Sequence, residues 1–223
     1  MSDTPPLEHL KALCPMRHRE FTFGDQTLTV WTACDIDPLL DRLTHQDPSS
    51  PELKDERMPY WAELWPSSLL MAEVMTNHFP KLPEGEFLEM GCGPALPSLL
   101  AARLGIQGLA TDYLQEARWL AELNLNENQV SGQVQVAHLD WREPMDSRFS
   151  WILAGDIAYE SRNFRPIADC WSAMLAPGGQ IWLGEPGRSV ARDFFHLLRQ
   201  ENWKVETIGR KERVRVHRIT RNT

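Results

Sequence analysis

The spacing of hydrophobic positions changes character near residue 66. Before it, apolar-polar runs at 20–23 and 27–32 flank Gly24-Asp25 and predict a hairpin. A short helix is expected after Asp37-Pro38, and residues 47–59 read as an exposed loop rich in Pro and charge. From Pro66, a residue suited to the first turn of a helix, Leu70, Val74 and His78 recur with Met71 and Met75 at spacings of three and four. Short apolar runs then appear at 86–90, 107–111, 133–137, 150–154 and 179–183, separated by helical stretches at 95–104, 114–127, 163–175 and 189–200. Strand alternating with helix predicts a parallel sheet covered on both faces. The chain closes differently: runs at 203–208 and 214–220 are joined by a short link, which favours an antiparallel pair at the sheet edge. The predicted architecture is therefore α/β, a doubly wound and mostly parallel sheet over residues 59–223. A small N-terminal accessory region covers 1–58. No internal repeat or low-complexity tract interrupts it.

Composition narrows the class. The chain has 223 residues, 42% apolar and 24% charged, as in globular proteins able to bury a full core. Cys14, Cys34, Cys92 and Cys170 are too widely spaced for a zinc knuckle or a redox pair and read as reduced thiols. No apolar run approaches the roughly 18 residues of a membrane span. The start, MSDTPPLEHLKALCP, lacks the basic and apolar segments of a secretory signal, so a cytoplasmic location is expected. The net charge of −8 argues against a protein that grips nucleic acid by phosphate neutralisation alone. Charge is uneven: residues 1–111 carry 8 basic and 16 acidic groups, whereas the segment from Lys204 carries seven basic and two acidic. That tail reads either as a solvated strand pair or as a contact surface for an acidic partner. No cluster with metal-ligand spacing is present, and a monomer is expected.

Candidate chemistry gathers at the ends of the predicted strands. In Phe87-Leu-Glu-Met-Gly-Cys-Gly-Pro-Ala-Leu-Pro97 a strand runs into Gly91 and Gly93 and then into a helix. Glycines there let the backbone turn tightly and approach a ligand, and the helix N-terminus favours an anion. The third glycine of a dinucleotide fingerprint would fall at Leu96, which counts against NAD or FAD. Glu89 would repel a pyrophosphate but suits a ligand with a cationic amine; S-adenosylmethionine (SAM) has such an amine and no phosphate. Asp112 ends the next strand, where a carboxylate can accept from both ribose hydroxyls or simply cap the following helix. Asp140 and Trp141 follow the third core strand, and offer an acceptor and a ring face for an adenine, or a core Trp and its neighbour. Asp156 and Tyr159 follow the fourth, spaced to face one cavity if a turn begins there; a helix cap with a packed Tyr is the plainer alternative. Glu185 and Arg188 follow the fifth, either near an acceptor amine or as a Pro-Gly turn with a surface ion pair. Cys92 has no basic neighbour in sequence and reads as a packing residue.

Together these residues resemble the class I, seven-strand SAM-dependent methyltransferases over roughly residues 58–220. More narrowly, they resemble the protein-lysine methyltransferase group, which includes enzymes acting on chaperones and on the electron-transfer flavoprotein β-subunit. Pro59-Tyr-Trp-Ala-Glu-Leu-Trp-Pro-Ser67 is similar to the Trp-containing segment that precedes the core in that group. Ala154-Gly-Asp-Ile-Ala-Tyr159 resembles its Asp-x-x-Tyr motif, and Leu183-Gly-Glu-Pro-Gly-Arg188 its Gly-Asp-Pro-Gly-Arg stretch, with Glu185 in place of Asp. The resemblance implies a Rossmann-like fold and SAM as cofactor. It also implies cofactor contacts from Trp65, Glu89, Gly91, Gly93, Asp112, Asp140, Trp141 and Ala154, and catalytic roles for Asp156 and Tyr159.

The function implied is N-methylation of a protein lysine. Alternatives are methylation of a small amine or metabolite by the same fold, or a SAM-binding module without catalysis. The latter would need neither Asp156 nor Tyr159. Nucleic-acid amino-methyltransferases carry Asn/Asp-Pro-Pro-Tyr after the fourth strand, and here Ile157 and Ala158 stand at the proline positions.

Overall fold

The computed structural model describes residues 6–45, 47 and 58–222. Most of the loop expected at 47–59 lies outside the described residues.

The N-terminal region forms helix α1 (Pro6–Lys11), hairpin strands β1 (Met16–Phe23) and β2 (Gln26–Ala33), helix α2 (Asp37–Thr44) and a 3-10 turn at Pro59–Ala62. The core follows in order as α3 (Pro66–His78), β3 (Phe87–Met90), α4 (Leu96–Arg103), β4 (Gly108–Asp112), α5 (Gln115–Glu127), β5 (Val134–His138) and β6 (Phe149–Gly155). It ends with α6 (Phe164–Met174), β7 (Leu175–Glu185), α7 (Ala191–Gln200), β8 (Trp203–Lys211) and β9 (Val214–Arg221). The seven core strands lie in the order β5-β4-β3-β6-β7-β9-β8. Pairing is parallel from β5 to β7, and β9 pairs antiparallel with both β7 and β8. The sequence expectation of a seven-strand, mostly parallel sheet with an antiparallel C-terminal pair is met. Helix α1 was not expected; six residues are too few for a periodic signal, and Leu10 alone anchors it in the interior.

Side chains along the central strands alternate between two cores. Phe87, Trp151, Leu153 and Trp182 face α3 and α4. Leu88, Ile152, Ala154, Ile181 and Leu183 face α6 and α7. Burial on both faces is the reason these strands read as unbroken apolar runs rather than as alternating ones. Phe23, Leu28 and Val30 of the hairpin join the first core, so the N-terminal region and the sheet domain share one interior.

The hairpin is held by an arrangement of side-chain amides. Asn124 on α5 accepts from the Trp31 N–H at 2.7 Å and donates to the Trp31 carbonyl at 3.1 Å. One turn later, Asn128 does the same for Thr29, at 3.0 and 2.7 Å. Four helical residues rise about 6 Å and two strand residues about 6.8 Å, so two amides one turn apart match alternate residues on a strand edge. Asn124 also donates to the Pro94 carbonyl at 2.9 Å, which ties the glycine-rich loop into the same knot.

Replacing Asn124 with Ala strands three backbone groups at once. Asn124→Ala is expected to destabilise the protein by about 1–3 kcal/mol, the cost of leaving buried polar groups unpaired. Urea unfolding of the variant beside the parent checks this.

Candidate functional site

A cleft of about 310 Å³ opens at the carboxyl ends of β3, β4, β5 and β6. This is where a doubly wound sheet places its ligands, and the volume falls in the range of small-molecule sites. One wall is the glycine loop. Gly91 and Gly93 adopt left-handed backbone, φ 64° and 47°. A Cβ on Gly93 would come within 3.1 Å of the Trp61 carbonyl oxygen, and one on Gly91 within 3.0 Å of Ile157. The two glycines thus let the loop close against the 3-10 turn and the segment after β6, besides baring its backbone to the cleft.

Asp112 stands opposite. Its carboxylate accepts from the Gly93 N–H at 3.2 Å and from the Leu114 N–H at 3.0 Å. Burial pushes its pKa up, against the backbone hydrogen bonds and Arg118. Both readings of Asp112 coexist in the structure: it caps the turn into α5 and still faces the cleft. Asp140 and Trp141 line the same wall. The Arg142 guanidinium grips Asp140, with Nε at 2.8 and 2.9 Å from its two oxygens and Nη2 at 2.7 Å from Oδ2. Burial raises the Asp140 pKa, but these bonds outweigh it and hold the carboxyl below its usual range.

The opposite end of the cleft is aromatic and charged. Trp65 donates its indole N–H to the Tyr60 carbonyl at 2.9 Å. Tyr60 meets Trp65 and Tyr159 edge-on, each at 5.7 Å between ring centroids. Asp156 sits directly after β6 with φ 55°, a left-handed conformation that Asp tolerates better than most residues. Its own N–H donates to the Gly184 carbonyl at 2.8 Å, which fixes it to the end of β7. Arg188 forks onto its carboxylate, Nε to Oδ1 at 2.9 Å and Nη2 to Oδ2 at 2.8 Å. The same guanidinium lies 5.6 Å from the Trp65 ring centroid. Burial, with Glu160 and Asp112 adding negative charge, raises the Tyr159 pKa to about 12, so its phenol keeps its proton at neutral pH.

Of the residues singled out in the sequence, the cleft gathers Trp65, Gly91, Gly93, Asp112, Asp140, Trp141, Asp156 and Tyr159 along its lining. Glu89 and Ala154 are buried behind that lining rather than in it. Glu89 takes up the first turn of α4, where its carboxyl accepts from the Ser98 N–H at 2.9 Å and from the Ser98 hydroxyl. The anion-favouring helix start is therefore filled by the chain's own side chain. Burial raises the Glu89 pKa to about 8, outweighing the Ser98 hydrogen bonds. Glu185, also buried and also behind the lining, accepts from the Arg188 backbone N–H and shapes the turn that carries Arg188. Gly187 in that turn has φ 86°, and a Cβ there would come within 3.0 Å of the Arg213 carbonyl. Cys92 is buried and its thiol is pushed well up, as befits a packing residue. Sequence reasoning missed Tyr60 and Arg142 as cleft residues. Tyr60 lay within a segment already singled out, and Arg142 stands next to Trp141. The Asp156–Arg188 fork joins residues 32 apart, and only the adjacency of β6 and β7 brings them together.

The donor set fits SAM. A carboxylate at the end of β4 lines the cleft, and a ribose offers hydroxyl donors to such a group. Trp65 and Trp141 line the cleft, and the helix start behind the glycine loop is taken by the carboxyl of Glu89 rather than left open for a phosphate.

Comparison with known proteins gives the same picture. A family model described as lysine methyltransferase matches residues 54–201. The human histone-arginine methyltransferase METTL23 is 30% identical over 158 residues, covering 65% of this chain and 75% of that one. The electron transfer flavoprotein beta subunit lysine methyltransferase of Xenopus laevis is 27% identical, over 62% of this chain and 57% of its own length. Among solved structures, the Thermus thermophilus 16S rRNA N2 G1207 methyltransferase, in complex with AdoMet and guanosine, superposes with a TM-score of 0.66 at 15% identity. That match covers 93% of this chain and 51% of that one, and it speaks to the fold alone.

Two outcomes follow for the cofactor end of the cleft. Asp112→Ala is expected to weaken SAM binding by about 1.5–3 kcal/mol, the range for charge-assisted hydrogen bonds, as read by calorimetric titration. Glu89 holds its proton in the folded chain up to about pH 8 but loses it near 4.5 when unfolded. The folded state therefore binds the extra proton in that window, and stability contributed by this group falls as pH rises through it. Glu89→Gln keeps an acceptor for Ser98 and removes the titration. Its Tm is expected to gain on the parent's between about pH 4.5 and pH 8 in thermal melts, and to keep a constant lead above that.

Proposed function

The chain belongs to the lysine methyltransferase family and is a SAM-dependent methyltransferase, and we propose that it methylates the side-chain amine of a lysine in a protein. The observation that carries this reading is the carboxylate of Asp156, held beside Tyr159, Tyr60 and Trp65 in the same cleft as Asp112. A negative group among aromatic rings suits an alkylammonium, through charge and cation–π attraction.

In the proposed scheme Gly91, Gly93, Asp112, Asp140, Trp65 and Trp141 hold SAM. Bound there, SAM supplies a methyl carbon on a sulfonium, which an amine nitrogen takes in line while the C–S electron pair returns to sulfur. Asp156 accepts a hydrogen bond from the incoming ammonium and favours departure of its proton to water. The lone pair so freed is the nucleophile. Tyr159, protonated at neutral pH, donates from its hydroxyl and limits how the amine enters. Orientation supplies most of the acceleration, since a well-placed pair of reactants gains about 7–11 kcal/mol over the free encounter. Aromatic rings beside a carboxylate suit an acceptor that is an alkyl chain ending in a cation, which supports a lysine.

The protein acceptor is supported by the lysine methyltransferase relatives and by the segment from Lys204 with its excess of basic groups, which flanks the cleft through Arg213 beside Gly187. Among the described residues no helix is long and apolar enough to cross a membrane. The four cysteines are free, which supports a reducing, cytoplasmic setting.

Asp156→Ala tests the assignment. The variant is expected to bind SAM as the parent does and to lose about 10²–10⁴-fold in methyl transfer, the span of a positioned acid–base group. The assay is transfer from methyl-labelled SAM into the protein fraction of a lysate from cells lacking the gene. Undiminished transfer removes Asp156 from the reaction, and label confined to small molecules moves the acceptor to a metabolite.

A further inference from the structure

We propose that Arg188 is the residue that sets the acceptor of this site as lysine rather than arginine, because its guanidinium already fills the fork of the Asp156 carboxylate. The inference rests on the protein-methylation reading above and deepens it.

A carboxylate presents two oxygens side by side, and a guanidinium recognises both with parallel N–H donors. On Asp156 that face is taken. Arg188 Nε lies 2.9 Å from Oδ1 and Nη2 lies 2.8 Å from Oδ2. The pair is well placed to persist. The Asp156 side chain is only 5% exposed. The Asp156 backbone is pinned to Gly184, and the Arg188 backbone to the Glu185 carboxyl. The guanidinium is further seated 5.6 Å from the Trp65 ring. Its attachment to Asp156 raises the Arg188 pKa further above its ordinary value, so its charge is constant at any working pH.

Each carboxylate oxygen has a second lone-pair site, so Asp156 retains acceptor capacity with Arg188 in place. What remains are single acceptors pointing away from the occupied face. An ammonium is a point donor with rotatable N–H bonds and needs one acceptor. A guanidinium acceptor would need the paired face, and would have to displace Arg188 from both oxygens and from Trp65. The relatives make the distinction concrete, since one is named for lysine and another for histone arginine.

The test is amino-acid analysis of the labelled product. The full chain, Arg188→Ala and Arg188→Lys are each incubated with methyl-labelled SAM and the protein fraction of a lysate from cells lacking the gene. Labelled protein is hydrolysed, and counts in methyl-lysine and methyl-arginine are separated. SAM binding is titrated for each variant to establish an intact cofactor site. The parent is expected to label lysine alone. Arg188→Ala, with the fork vacated, is expected to lower the lysine-to-arginine ratio by about tenfold or more. Arg188→Lys puts back a single point donor and is expected to stay nearer the parent. Label remaining wholly in methyl-lysine with Arg188→Ala overturns the inference and leaves the lysine reading standing. Loss of all transfer in that variant with SAM binding intact also overturns it, because Arg188 would then serve transfer itself. Methyl-arginine from the parent, or no protein label at all, overturns the lysine reading and this inference with it.

Discussion

In-register parallel pairing at the centre of the sheet sets where everything else can stand. Met90 on β3 is level with Thr111 on β4 and Ala154 on β6, and Gly155 is level with Gly184 on β7. The next residues along these strands are Gly91, Asp112, Asp156 and Glu185. All four lie at the same edge of the sheet, on neighbouring strands about 4.8 Å apart, with Asp156 and Glu185 one residue further along their strands than Gly91 and Asp112. Four neighbouring strands ending at one edge thus give a glycine turn, two carboxylates that line the cleft and one carboxylate that shapes the turn carrying Arg188. A register slip of one residue in any strand would turn its side chains to the other face. The site inherits its accuracy from the backbone ladder.

Three acidic groups in or just after these strands have different environments and so different duties. Glu89 is sealed beneath α4, close to neutral at physiological pH, and keeps the helix start in place. Asp112 is shared between backbone N–H groups and the cleft. Asp156 is paired to a guanidinium from the neighbouring strand's loop. The sulfonium and amine of the cofactor and the ammonium of an acceptor are all cations. A site that faces them with carboxylates, and keeps its basic groups bound to those carboxylates, is matched in sign to what it must hold.

Much of the architecture was legible because the strands are short, apolar and regularly separated by helices. The seven strand positions, the helix before them and the four helices between them follow from the change of period alone. The hairpin followed from Gly24-Asp25. Helix α1 did not, since it is too short for periodicity to act on. Within the site, Gly91, Gly93, Asp112, Asp156 and Tyr159 stood out because strand ends in such a sheet converge. Glu89 was misleading for a physical reason. Its place near the loop in sequence suggested the cleft, but strand alternation carries its side chain to the α4 side with Phe87. The Asp156–Arg188 fork depends on which strands are neighbours, and sequence spacing alone does not carry that.

The asparagines of α5 have a further consequence. By pairing Thr29 and Trp31 through side chains, the helix occupies the outer edge of β2 as a strand would. An edge left open is a template on which another chain can add. Here the template is consumed within the molecule by two amides that offer no further strand in turn. That edge of the hairpin is thereby closed to strand addition, and Asn124, one of the two side chains that close it, also anchors the Pro94 carbonyl of the glycine loop. The covered edge of the hairpin and the glycine loop beside the cleft therefore share one anchor.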